Sequence, residues 1–218
     1  MPAHRFAGQA AADDRWGVSG GSGAAPPDVE EMGRTKSHKK NIACLESLWD
    51  GNIESRLSVV PLLELASRVD EIRFSYLTCN TEDELEHNLE KLKNKRGYGI
   101  LYLACHGKPG ELVLDESSVD IQKLAGFMGD GFTNWVIHFG SCSTIKIEHA
   151  RLSRFIAATQ VSMILGYRQD VAWIDSAAID LLLFDGLQDY KDMRRFWGHF
   201  KHRYPDLISI TGLRAVLR

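Results

Sequence analysis

No apolar run in the 218 residues approaches the ~20 that a membrane-crossing helix needs. The N-terminus lacks the apolar core of a signal peptide. The four cysteines stand far apart, at 44, 79, 105 and 142, and none forms a Cys-x-x-Cys pair. That spacing argues against a disulfide framework and a zinc ribbon, and it fits a reducing, cytoplasmic setting. A phosphate-cradling glycine loop is missing, so nucleotide chemistry has no support. Net charge is only −3, which points to no nucleic-acid and no membrane partner. No internal repeat is visible. What remains, 44% hydrophobic and 25% charged residues, is ordinary for one globular domain with a tail.

Residues 1–38 are rich in Ala, Gly, Asp and Ser and show no periodicity, so a disordered tail is expected there. The basic cluster Lys36 to Lys40 reads as a solvated flank. Residues 39–218 read as one domain. Asn41 to Glu46 suits a first strand, Leu57 to Val69 a helix with Pro61 near its start, and Ile72 to Leu77 a second strand. Thr81 and Glu84 form a capping box at the head of a helix running to about Lys95. Gly99 to Ala104 gives a third strand. Glu111 to Asp115 suits a short hairpin, and Val119 to Met128 a helix. Trp135 to Phe139 gives a fourth strand, and a helix is expected from about Lys146 to Ala158. Val161 to Tyr167 gives a fifth strand. Helices over Ala172 to Leu187 and Tyr190 to Tyr204 follow, then a possible sixth strand at Leu207 to Thr211. Strands alternating with helices imply an α/β, three-layer sandwich around a mainly parallel sheet of five to six strands. The flavodoxin-like order 2-1-3-4-5 is expected, with a ligand crevice at the carboxyl ends of strands one and three.

Two stretches carry chemistry. Gly99-Ile-Leu-Tyr-Leu-Ala-Cys-His-Gly107 is an apolar strand running into His-Gly. Trp135-Val-Ile-His-Phe-Gly-Ser-Cys-Ser-Thr144 is another, running into a cysteine. Either alone reads as a structural histidine or a small buried cysteine. As neighbours, ~4.8 Å apart, the two strands would set His106 opposite Cys142. A cysteine needs such a partner to be a strong nucleophile at neutral pH. Ser143 or Thr144 would cap a helix beginning just after Cys142, whose N-terminus favours a thiolate. Gly107 lets a carbonyl oxygen approach its N–H, which with the Cys142 N–H would form an oxyanion hole.

This pairing, an apolar strand ending Cys-His-Gly followed by one ending Gly-Ser-Cys, resembles the caspase-like cysteine peptidases, most closely the CHAT-type branch. The resemblance covers roughly residues 40 to 215. It implies a cysteine endopeptidase that cleaves a protein or peptide through a thioester, with His106 and Cys142 as a dyad and no cofactor or metal. It leaves open a regulatory partner protein. Gly140-Ser141-Cys142 stands where caspases have Gln-Ala-Cys and metacaspases Asp-Ser-Cys, so the acidic residue before the nucleophile is missing. Substrate contacts are expected from loops at the same edge: Glu46, Trp49 and Asp50 after strand one, and Arg168, Asp170 and Trp173 after strand five. An acidic pocket residue would favour a basic side chain before the scissile bond, and Arg168 an acidic one.

Other readings stay open. The same fold would also serve as a binding or regulatory module that has lost turnover. A Cys-nucleophile α/β-hydrolase would pair Cys142 with Asp170 or Asp185 and with His199 or His202, but Thr144 replaces the second glycine of its elbow. A metal site of Cys105, His106, His138 and Cys142 would need side chains from opposite strand faces. Deleting residues 1–31 is expected to leave the melting temperature and Cys142 reactivity unchanged; a large fall in melting temperature would show that this segment packs.

Overall fold

The computed structural model describes residues 38–52 and 54–218. The expected tail lies outside them. The elements run β1 (Asn41–Glu46), α1 (Val60–Asp70), β2 (Phe74–Thr78), α2 (Glu82–Leu92), β3 (Tyr98–Ala104), β4 (His106–Lys108), β5 (Glu111–Val113) and β6 (Ser118–Asp120). Then follow α3 (Ile121–Met128), β7 (Val136–Phe139), α4 (His149–Thr159), β8 (Met163–Tyr167), α5 (Trp173–Leu187), α6 (Met193–Arg203), α7 (Pro205–Thr211) and β9 (Leu213–Leu217).

The main sheet has the order β2-β1-β3-β7-β8-β9. Its first five strands are parallel in the anticipated flavodoxin-like order, and β9 runs antiparallel on the edge beside β8. Strand alternation divides the core. Ala43, Leu45, Leu101, Leu103, Ile137 and Phe139 pack against α2, α3 and α4. Ile42, Cys44, Ile100, Tyr102, Val136, Leu165 and Tyr167 pack against α1, α5 and α6. The result is a three-layer α/β/α sandwich in which both sheet faces are covered, which is why the parallel strands read as near-continuous apolar runs.

Local chemistry sets the element ends. Thr81 Oγ1 accepts the Glu84 N–H at 3.2 Å and Glu84 reaches back to the Thr81 N–H, completing the anticipated capping box. Pro61 falls in the first turn of α1, where its missing donor costs nothing.

Three expectations need correction. Leu207 to Thr211 is the body of α7, started by Pro205, and the sixth strand is β9, beyond Gly212 at φ 62°. The segment 106–120 is a three-stranded antiparallel sheet, β4-β5-β6, in place of a single hairpin, so His106 opens β4 after Cys105 and does not end β3. Finally, α4 begins at His149, seven residues past Cys142, with Glu148 at its N-cap position. Ser143 and Thr144 therefore do not cap α4, and the helix start beside the thiol is that of α5, whose preceding residue Val171 meets Sγ.

All four cysteines are free, and Cys44, Cys79 and Cys105 are buried. Burial pushes the Cys44 and Cys105 thiols well up, and pushes Cys79 up to about 12, with Glu84 adding to the effect. These thiols stay protonated when folded and ionise near ~8.5 when unfolded. Above that pH the unfolded chain binds fewer protons, so stability falls as pH rises, by about 1.4 kcal/mol per pH unit for each thiol. The melting temperature should decline from pH 9 upward, and Cys79→Ala should flatten that decline. An unchanged slope would show that Cys79 is not part of it.

Candidate active site

The site is built from segments leaving the carboxyl ends of β1, β3, β7 and β8. The turn after β7 holds Cys142, half-buried, between Ser141 and Ser143. Ser143 adopts φ 58°, and its N–H donates to the Gln169 carbonyl at 3.2 Å while its hydroxyl donates to Asp170 Oδ1 at 3.2 Å. The loop after β8 thus holds one side of the turn. On the other side the Gly110 N–H donates to the Thr144 carbonyl at 2.9 Å, and Thr144 Oγ1 donates to the Glu111 carbonyl at 3.2 Å.

Gly107 presses directly on this turn. A Cβ there would lie 2.1 Å from Thr144 Oγ1 and 2.4 Å from the Cys142 carbonyl, so only glycine fits. Gly140 has a similar role, because a Cβ would lie 2.4 Å from the Tyr102 ring. The Val171 N–H points at Cys142 Sγ over 3.4 Å. Val171 directly precedes Ala172, the N-cap of α5, so the start of that helix lies beside the sulfur. The Cys142 N–H donates to no protein acceptor among the described residues.

His106 Nε2 lies 2.6 Å from the Trp49 carbonyl. A carbonyl only accepts, so Nε2 carries the proton and Nδ1 is the nitrogen left for exchange. The Trp49 indole meets the His106 ring edge-on at 5.4 Å and the Trp173 indole edge-on at 4.8 Å.

His106 and Cys142 line one pocket of about 550 Å³. Its walls are Trp49, Leu57, Leu62, Val171 and Trp173, with Arg56 also on its lining, and Tyr102, Tyr167 and Asp180 complete it. Asp180 is 1% exposed. Its Oδ2 accepts the Tyr102 hydroxyl at 2.7 Å; its Oδ1 accepts the Tyr167 hydroxyl, and His138 Nε2 at 2.5 Å. Burial, with the Asp180 charge second, pushes both tyrosines well above their ordinary range. His138 is stacked on Tyr102, and its Nδ1 is buried without a partner.

Of the six expected substrate contacts, Trp49 and Trp173 line the pocket. The other four do not. Glu46 is buried, with its oxygens taken by its own chain. Asp50 is exposed and accepts the Asn52 N–H; Asp170 is exposed and holds Ser143. Arg168 is exposed beside Gly212. Tyr102, Tyr167 and Asp180 escaped the sequence reading, although Asp180, a lone carboxylate between Ile179 and Leu181-Leu-Leu-Phe184, was a usable signal. His199, bonded to Tyr190, and His202 line no part of the pocket, so no hydrolase triad forms with them. Among the described residues no three His, Cys, Asp or Glu side chains group as a metal ion needs. No helix of the described residues is long and apolar enough to cross a membrane.

Fold and site together define an α/β sandwich with a cysteine and a histidine in one pocket at the carboxyl edge of a parallel sheet. The chain belongs to a family described as "Family of unknown function (DUF6642)", which it matches over residues 39–215. The match is to this family and not to a CHAT domain. No curated protein matches the chain. Among solved structures it is similar to Caspase-1 from Spodoptera frugiperda, with 13% identity and a TM-score of 0.45, over 83% of this chain and 89% of that one.

Because Cys142 is half-buried and the other three thiols are sealed in the core, iodoacetamide at neutral pH should label Cys142 first, as peptide mass mapping would read. Gly107→Ala should slow that labelling and destabilise the fold by about 1–3 kcal/mol through forced displacement of the turn. Equal labelling of Cys79, or a silent Gly107→Ala, would contradict the packing.

Proposed function

We propose that the protein is a caspase-like cysteine endopeptidase, with Cys142 as nucleophile and His106 as its acid–base partner. The observation that carries this reading is that both side chains line one pocket while a backbone carbonyl fixes the tautomer of His106. Cys142 passes its thiol proton to His106 Nδ1 as its sulfur bonds to the peptide carbonyl carbon, and the oxyanion accepts from the Gly107 and Cys142 N–H groups. His106 Nδ1 hands a proton to the departing amine as the C–N bond breaks, leaving a thioester. Water then adds to that carbon with its proton passing to His106, and the C–S bond breaks to release the acid.

The pocket beside Cys142 takes the side chain before the scissile bond. Its walls are mainly apolar, Arg56 is its cation, and the Asp180 carboxylate is already taken by Tyr102, Tyr167 and His138, so a large apolar side chain suits it best. Arg168, which would favour an acidic residue, is outside the pocket lining.

A mass-read peptide library tests both parts. Cys142→Ala should abolish cleavage, and His106→Ala should cut kcat/KM by about 10²–10⁴-fold. Trp173→Ala, which enlarges the pocket, should relax the preference for the apolar residue before the cut more than it lowers turnover on other residues. If wild type cleaves nothing and Cys142 labels no faster than a model thiol, the binding-module reading replaces this one.

A further inference from the structure

Glu46 closes β1 and is 3% exposed, yet no lysine or arginine among the described residues pairs with it. Each of its oxygens accepts two hydrogen bonds. Oε1 takes the Trp49 indole Nε1–H at 2.6 Å and the Val59 N–H at 2.8 Å. Oε2 takes the Ser58 hydroxyl at 2.7 Å and the Tyr76 hydroxyl at 2.8 Å. The carboxylate is saturated, which is the condition for burying it at all.

The donors are informative. Trp49 lies near the start of the loop between β1 and α1, Ser58 and Val59 lie at its end, and Tyr76 belongs to the neighbouring strand β2. One carboxylate therefore ties both ends of the loop to the sheet. The four hydrogen bonds offset the cost of burying this carboxylate, and removing it alone would leave four donors unpaired. What the charge supplies is fixed coordinates. Trp49 passes them on, because its carbonyl holds His106 Nε2 and its ring lies against the His106 ring.

We infer that Glu46 is a positioning residue: by holding the Trp49 indole and the far end of the loop, it sets the carbonyl that orients His106 toward Cys142. This rests on the dyad reading above. It replaces the direct substrate contact expected of Glu46.

A double-mutant cycle in the full chain tests it, with iodoacetamide labelling of Cys142 at neutral pH as the readout, so that no substrate is needed. Glu46→Ala should slow labelling about tenfold, the scale of a misplaced reacting group. In a His106→Ala background Glu46→Ala should add nothing, since its effect travels through that ring. Glu46→Gln should restore the wild-type rate. Its amide oxygen still accepts from Trp49 and Val59, and its NH₂ donates to the Ser58 and Tyr76 hydroxyl oxygens. Trp49→Phe removes one donor while keeping a ring and the carbonyl, and should slow labelling as Glu46→Ala does, which keeps the test alive if the alanine variant does not fold. Wild-type rates in folded Glu46→Ala or Trp49→Phe, or slowing that multiplies with that of His106→Ala, would overturn the inference and leave the dyad standing. A His106→Ala variant that labels at the wild-type rate would overturn the dyad reading, and this inference with it.

Discussion

The arrangement hangs on one close approach, the backbone of Gly107 lying against the turn that carries Cys142. Strands β3 and β7 are paired neighbours, so the segments leaving them emerge side by side. Adjacency alone sets no geometry beyond the sheet edge. That comes from the absence of a side chain at 107, which lets β4 settle where a Cβ would overlap Thr144 and the Cys142 carbonyl. Hydrogen bonds from Gly110 to Thr144 and from Thr144 to Glu111 then fasten the small sheet to the turn. The loop after β8 holds the other side through Ser143 and Val171. Cys142 is held by loops on both flanks, one of them leading directly into α5.

The two faces of the sheet have different tasks. On the α2–α4 side the core is apolar and its cysteines are inert. On the α1–α5 side strand alternation sets Tyr102 opposite His138, with Tyr167 two residues beyond their level on β8, and Asp180 of α5 bonds to all three. A polar network inside an otherwise apolar half-core is stable only when its members are paired, and three donors on Asp180 meet that need. The exception is His138 Nδ1, buried with no hydrogen-bond partner among the described residues.

Much of this was legible in the chain. The apolar runs gave five of the six main-sheet strands, and the parallel order followed from their alternation with helices. His106, Gly107 and Cys142 were marked by strand context and spacing. The misreadings have local causes. Leu207-Ile-Ser-Ile-Thr211 is apolar enough for an edge strand, but Pro205 preorganises a helical first turn there. Ser143 and Thr144 are residues that cap helices, yet their hydroxyls are used across the turn and into β5. The pocket was sought among charged loop residues because charge is conspicuous in sequence. Its lining is aromatic and aliphatic, from α1, β3, β8 and α5, and such residues look like core until the layers are assembled. Glu46 misled in the other direction: a carboxylate at a strand's carboxyl end suggests a ligand, and only the fold shows its four donors arriving from its own chain.

The pocket's dimensions have separate owners. Its breadth at the mouth is bounded by Trp49 and Trp173, two indoles in contact from the loop after β1 and the start of α5. The far wall belongs to Tyr102 and Tyr167, residues of the central sheet, clasped to a helix by one carboxylate. Surface loops drift easily in a lineage, whereas a satisfied network spanning two strands and a helix changes only in concert. The girth of the cavity can therefore be altered one loop residue at a time, while its depth is fixed together with the core.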